Sequence, residues 1–446
     1  MLDPELPPPG FVDLQVFRRC AWQAYDDTYE HRELVNSLNF FPVADFDTGD
    51  ALSEFWAGFA SSLLFSEHGA HLGQSIASAA QRNSGIPGNS ATILCAWLTG
   101  LGIALYDIDR ADAYAFADAL QDAARAARGA VLSPVPGTML TVYDAVAEAV
   151  SFGDERSVSF AALFRRLPHA IEAALNQFPV PVAYGRTMRP DQDAGAFAMR
   201  LMFHALKKVL APGVGEAMMA VPQPSEPETE EHLGRTLQHG VEVHLRVQIP
   251  TDSIEEAKGG LADLGNSLVV ALEPTADPHI PPVWNIHLHT GDPDAAAAFC
   301  AQYGRILRTT SYPIVPGIRR NPAPGRDVPA ERQVLVITDA ISRDEGFSGA
   351  RVVHTSDIDE ISAYAQHLVL GSQMVIVAIG AQVGPIAEKL AARAREAARR
   401  SGAHIAITVV PAPSLTQAHA AIHHHQSEPL GKATLRIYEA MHDPQK

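Results

Sequence analysis

Cysteine is scarce in this chain: Cys20, Cys95 and Cys300 are the only three, an odd number spread far apart. That pattern excludes a disulfide framework and predicts reduced thiols and a cytoplasmic home. Long apolar runs are missing as well. No stretch of about 18 apolar residues occurs, which argues against a transmembrane helix and membrane insertion. The opening Met1-Leu2-Asp3-Pro4-Glu5-Leu6 has neither the basic nor the apolar region of a signal peptide. Positive charge is in deficit, with 34 Lys and Arg against 51 Asp and Glu and a net charge of −17. Binding to nucleic acid needs clustered Lys and Arg to neutralise phosphates, so no nucleic-acid partner is expected. Without a local basic patch, an anionic lipid surface is not expected either.

What is present is the composition of a soluble globular protein, 47% hydrophobic and 19% charged. At 446 residues it is too long for one ordinary core, so a multidomain chain is expected. From Phe11 to about Leu210 apolar residues recur at spacings of three and four in Ala-rich segments, a helical signal. Residues 212–231 are rich in proline and acid and read as a linker. Beyond them the period changes to two. Val241–Val247, Ser267–Glu273 and Val283–His289 alternate as strands, with helices over Ser253–Leu264 and Pro293–Tyr303. A second linker, rich in Pro, Gly and Arg, covers 315–331. The remainder alternates strand and helix: strands at 334–338, 374–379 and 404–410, and helices at 358–370, 386–401 and 414–425. That is an α/β pattern with a parallel sheet. The expected domains are therefore 1–211, all helical; 232–314, α+β; and 332–446, α/β.

The helical part is interrupted where chemistry-bearing residues gather. The first interruption is Asn36-Ser37-Leu38-Asn39-Phe40-Phe41-Pro42-Val43-Ala44-Asp45-Phe46-Asp47-Thr48-Gly49-Asp50. Pro42 makes it a loop. Asp45 and Asp47 alternate, so in an extended loop both carboxylates point one way. Mg²⁺ binds through one or two carboxylates and leaves positions for phosphate oxygens. Thr48 and Gly49 open a helix whose N–H groups suit a phosphate. The same residues also suit an Asx-rich cap and turn. The next is Gly85-Ile86-Pro87-Gly88-Asn89-Ser90-Ala91, where Gly88 permits close backbone approach and Ser90 offers a hydroxyl at a helix start. The others are Ser133-Pro134-Val135-Pro136-Gly137-Thr138 and Arg186-Thr187-Met188-Arg189-Pro190-Asp191-Gln192-Asp193-Ala194-Gly195. Arg186 and Arg189 are well shaped for bidentate phosphate contact, although isolated loop arginines are also commonly solvated.

These four stretches, in this order, resemble the motifs of the dihydroxyacetone-kinase nucleotide-binding domain family (DhaL-like), in the branch typified by bacterial fatty acid kinase A. The resemblance implies an N-terminal all-α helical barrel that holds ATP or ADP with Mg²⁺ on Asp45 and Asp47. It implies further nucleotide contacts from Asn39, Thr48, Gly49, Gly88, Asn89, Ser90, Gly137, Thr138, Arg189, Asp193 and Gly195. The sequence departs from the family at Phe46 and Ala91 (glycine in both places), at Ala51 (asparagine) and at Ser133 (lysine). The implied activity is phosphoryl transfer from ATP to the carboxylate of a fatty acid presented by a DegV-type carrier protein, giving an acyl phosphate, in a homodimer. Two other readings stand beside it. One is a catalytically weakened nucleotide- or metal-binding regulator on the same fold. The other is dihydroxyacetone kinase activity, which the absence of a preceding substrate domain disfavours.

The middle region carries a separate signal. His287 and His289 stand at i and i+2 on one strand, and Glu242 and His244 at i and i+2 on another, so each pair shares a face. Paired strands would offer up to four ligands to Zn²⁺. A hydrogen-bonded surface pair is the plainer alternative. The branch resembled here has a cysteine where Glu242 stands.

Overall fold

The computed structural model describes residues 9–39, 46–66, 70–152, 158–178, 180–182, 186–188, 193–215, 240–273, 281–314, 332–339, 350–355, 373–380, 382–400, 405–412 and 428–442. Among these, no helix is long and apolar enough to cross a membrane. The chain is multidomain, with a helical N-terminal region followed by sheet-containing regions. Its contacts divide into two compact units. The first comprises residues 1–17, 31–52 and 70–319, and the second residues 18–30, 53–69 and 320–446.

The helical region runs α1 (Leu14–Glu30), α2 (Arg32–Ser37), α3 (Thr48–Leu64), α4 (Leu72–Arg82), α5 (Asn89–Ala104), α6 (Ala113–Ala130), α7 (Met139–Ala149), α8 (Phe160–Gln177) and α9 (Ala194–Leu210). Local chemistry sets several starts. Asp112 accepts from Ala115 N at 2.8 Å to cap α6, and Ser159 accepts from Ala162 N at 3.2 Å to cap α8. α5 is buried along most of its length, and Gly102 lets it pass so close to α4 that a Cβ there would crowd the backbone at Ala77. Between α8 and α9 the chain departs from helix. β1 (Val180–Val182) and β2 (Arg186–Met188) form an antiparallel ribbon, favoured by β-branched residues and by Pro181, which cannot continue a helix.

Most of α1 and α3 falls in the second unit; within the first, β3 (Val241–Gln248), β4 (Asn266–Glu273), β5 (Val283–Thr290) and β6 (Arg305–Pro313) form an antiparallel sheet of order β4-β5-β3-β6. The alternation along β3 gives it two faces. Val243, Leu245 and Val247 join Ile286 and Leu288 of β5 in an apolar core, under α10 (Thr251–Leu264) and α11 (Pro293–Cys300). Glu242, His244 and Arg246 occupy the opposite face. β6 has no counterpart in the sequence-based expectation, because Arg305–Pro313 is largely exposed and polar. An edge strand bonded on one side needs little apolar alternation.

The second unit contains a parallel sheet of order β10-β9-β7-β8, from β7 (Arg332–Thr338), β8 (Ala350–His354), β9 (Gln373–Ile379) and β10 (Ala406–Ala412). α12 (Val383–Arg400) packs on it, and α13 (Leu430–His442) follows. The expected helices at 358–370 and 414–425 lie outside the described residues. Within this unit Asp26 caps α13, accepting from Gly431 N at 2.7 Å and Lys432 N at 2.9 Å. Ser61 Oγ accepts from Val409 N at 3.0 Å.

Candidate functional site

The loop before α3 is held from α2. Asn36 Oδ1 accepts from Gly49 N at 2.6 Å and Asp50 N at 3.2 Å, and Arg32 Nε lies 3.2 Å from Asp50 Oδ1. Asn36 therefore occupies two of the N–H groups that a bare helix start would turn toward a phosphate. A Cβ on Gly49 would run into the Arg32 carbonyl, so only glycine fits there. Asp47 is half-buried, and its backbone carbonyl accepts from Ala51 N at 2.9 Å. Asn39 and Thr48 are buried. Asp45 lies outside the described residues. Phe46 sits at φ 58°, a left-handed conformation that costs an L-residue about 1–2 kcal/mol. The backbone thus keeps the shape of a glycine position while carrying a ring. Replacing Asn36 by Ala removes the cap while leaving its surroundings in place. We expect a loss of about 1 kcal/mol of stability, read as a lower urea midpoint at unchanged slope.

The other three motifs also sit at helix starts. Gly88 (φ 106°) precedes α5, and a Cβ there would lie 3.3 Å from Ala51 Cβ, which brings this loop against the start of α3. Gly88 O accepts from Thr92 N at 3.1 Å and from Thr92 Oγ1 at 3.0 Å. Asn89 Oδ1 is buried with no hydrogen-bond partner among the described residues, and Ser90 follows it in the first turn. Before α7, Gly137 N donates to Thr141 Oγ1 at 2.8 Å and Thr138 Oγ1 donates to Val135 O at 2.8 Å. Asp193 caps α9, accepting from Ala196 N at 2.7 Å. Burial pushes its carboxyl up to about 7, against the pull of the N–H groups of Ala196 and Gly195. A Cβ on Gly195 would lie 3.3 Å from Met139 Cβ, so the starts of α7 and α9 meet. His31, just before α2, meets Phe197 of α9 edge to face at 6.1 Å. α2 therefore touches both pairs of helix starts. Arg189 lies outside the described residues, and Arg186 falls in β2.

The second cluster lies on the polar face of the antiparallel sheet. Register places Glu242 opposite His289 and His244 opposite His287. His244 Nε2 is 2.9 Å from Glu242 Oε1, His287 Nδ1 is 3.3 Å from the same oxygen, and His287 Nδ1 is 3.2 Å from His244 Nε2. A tetrahedral Zn²⁺ with bonds of about 2.0–2.1 Å holds its ligands roughly 3.3 Å apart. One carboxylate and two imidazoles at that spacing fit such an ion. His289 stands apart from this trio, its Nε2 lying 3.0 Å from the far nitrogen, Nε2, of His287. With Nδ1 of His287 turned to a metal, its Nε2–H donates to His289 and fixes the ring. His289 Nδ1 is buried without a partner among the described residues.

The electrostatics set an ionised carboxylate beside two imidazoles, His287 and His289, that resist protonation. Burial pushes the Glu242 carboxyl up, but the His244 hydrogen bond and the charges of the three imidazoles outweigh it and hold it below the usual carboxylate range. Burial lowers His287 well below its ordinary value, helped by His244 and opposed by Glu242. His289 is lowered by burial too. Buried imidazoles that stay neutral keep their lone pairs for a cation.

Sequence reasoning followed this face only as far as His244. Two residues further along β3, Arg246 engages Glu273 through two hydrogen bonds, one of them Nε to Oε2 at 2.8 Å. Glu273 also accepts from Gln81 at 2.8 Å. The alternation that paired Glu242 with His244 already placed Arg246 on the same face.

A DAK2 domain model matches residues 42–208, and a model of the middle domain of fatty acid kinase A-like proteins matches residues 237–311. These two matches define the class. Similar chains include an uncharacterised protein of Staphylococcus saprophyticus, 23% identical over 316 residues, and Protein YloV of Bacillus subtilis, 22% identical over 310. Each alignment covers 67% of this chain and 54% of the relative, so the chain spans about half the length of the curated relatives it matches. The chain thus carries a DAK2 domain followed by a middle domain like that of fatty acid kinase A-like proteins.

Proposed function

We propose that this chain is a kinase that transfers the γ-phosphoryl group of ATP to a carboxylate, giving ADP and an acyl phosphate. The observation that carries the reading is the gathering of motif-bearing helix starts, with Asn89 Oδ1 left unsatisfied where the Gly88 loop meets the start of α3. Buried polar atoms are nearly always paired, and this acceptor would be completed by a donor of the nucleotide or by its cation. Asp45 and Asp47 would hold Mg²⁺, which when bound neutralises charge on the β- and γ-phosphate oxygens. The remaining nucleotide contacts fall to Asn39, Thr48, Gly49, Gly88, Asn89, Ser90, Gly137, Thr138, Arg189, Asp193 and Gly195. Of these, Asp193 holds the start of α9 with its carboxylate and Gly195 lets that start approach Met139. A carboxylate substrate arrives ionised. One of its oxygens attacks the γ-phosphorus, the bond from that phosphorus to the β–γ bridging oxygen breaks, and ADP leaves. No proton has to be removed, so the site needs no general base.

The wider reading keeps the helical region as a closed barrel within 1–211, with 232–314 and 332–446 as further domains. It also keeps a fatty acid presented by a DegV-type protein, a homodimer, a cytoplasmic setting, and Zn²⁺ on Glu242, His244 and His287 with His289 behind. The regulatory alternative is favoured by one observation, the ring of Phe46 on a left-handed backbone. The experiment is a hydroxylamine trap for acyl phosphate, with Mg²⁺-ATP and a carrier protein loaded with fatty acid, run beside dihydroxyacetone as acceptor. Acyl hydroxamate formation is the expected result. Protection against melting by ATP with no turnover on either acceptor would favour the regulator, and turnover on dihydroxyacetone alone would reassign the substrate.

A further inference from the structure

A cavity of about 380 Å³ lies between the end of α4 and the polar face of the sheet, all within the first unit. Arg82, Arg246 and Arg308 line it, with His244 and with hydroxyls from Ser84 and Thr310, while the Thr92 hydroxyl at its border is given to Gly88 O. Leu245 and Ile286 also border it, but their side chains belong to the apolar core, so they contribute backbone. We propose that this cavity binds a small molecule bearing phosphate, at a site that borders the Gly85–Ser90 loop but is built on the polar face of the sheet rather than on the Asp47 loop.

Charge is the first argument. In a chain of net charge −17, three guanidinium groups border one small cavity. The carboxylate among them, Glu273, is 2% exposed and already engaged by Arg246, Gln81 and Asn285. Glu273 thus balances Arg246, and Arg82 and Arg308 add two guanidinium groups to a lining whose described residues hold no second carboxylate.

Register is the second. Arg246 and Arg308 are direct cross-strand partners on β3 and β6. Glu273 balances Arg246, which leaves Arg308 as the charge on this strand pair that an anion between the two would answer. Arg308 has no hydrogen-bond or ion-pair partner among the described residues. It does not simply trail into solvent: its Nη1 lies 3.6 Å from where a Cβ on Gly85 would be, so its head reaches across to the α4–α5 loop. Guanidinium forks with nearby hydroxyls suit the several oxygens of a phosphate better than the two of a carboxylate. The volume falls at the lower end of the range for small-molecule sites.

The test is calorimetric titration of the full-length chain with pyrophosphate, and separately with inorganic phosphate, in buffer without added Mg²⁺. Saturable binding is expected. Arg308→Gln and Arg82→Gln should each weaken it about tenfold or more. Arg308 is exposed, so its variant should melt like wild type without ligand and keep the fold out of the comparison. Absence of saturable binding would overturn the proposal. So would binding that Arg308→Gln and Arg82→Gln both leave intact, because the anion would then sit outside this cavity.

Discussion

Asp47→Ala is expected to abolish the Mg²⁺-dependent part of ATP protection against thermal unfolding while leaving the helical region folded. The carboxylate is half-buried at the mouth of α3, but the bond that sets the local backbone comes from the Asp47 carbonyl, which holds Ala51 N. Alanine keeps that carbonyl. Asn36 continues to cap Gly49 and Asp50 from α2. What disappears is the carboxylate proposed to hold Mg²⁺. A ligand at a hundred times its dissociation constant stabilises by about 2.7 kcal/mol, which in a domain of this size raises the melting temperature by roughly 5–10 °C. That increment, present for wild type with Mg²⁺ and ATP, should be missing in the variant, and the ligand-free melts should nearly coincide. Equal protection of both proteins would move the metal away from Asp47.

The second large effect is expected at the sheet. Purified without chelator, the full-length chain should carry one Zn²⁺, measured by elemental analysis, and a chelator should lower its melting temperature by several degrees. His287→Ala should remove both the metal and the chelator effect. The side chain is about 1% exposed, so its loss also leaves a void and lowers stability by itself. The chelator response therefore decides the matter. His289→Ala should keep the ion with weakened affinity, because His289 meets the far nitrogen of His287 and lies outside the trio. Zinc-free protein whose melt ignores chelator would reduce the cluster to a hydrogen-bonded network.

Much of this was legible in residue order. A period of three and four marked the helices, alternation marked β3, β4 and β5, and i, i+2 spacing put Glu242 with His244 and His287 with His289 on shared faces. Register then decided what spacing could not, namely which nitrogen of His287 meets which neighbour. β6 and the β1–β2 ribbon escaped notice because an exposed edge strand and a short Pro-containing ribbon carry little periodic signal. Phe46 shows the opposite case. Its type says nothing of a left-handed backbone, and only the resemblance to a family with glycine there hinted at φ 58°. The cavity near Arg308 was hidden because its lining comes from α4, α5 and four strands, far apart in sequence.

The discontinuous second unit has a consequence for biosynthesis. Residues 18–30 and 53–69 leave the ribosome early, yet they share a unit with 320–446. At about 5–20 residues per second, roughly half a minute separates Ser61 from the Val409 N–H that it will accept. Asp26 waits still longer for α13. During that interval the apolar flanks of α1 and α3 lack their final cover, so vectorial folding from the N-terminus cannot complete this unit. Nascent chains of this protein should therefore draw on holdase chaperones until translation has passed the last strand.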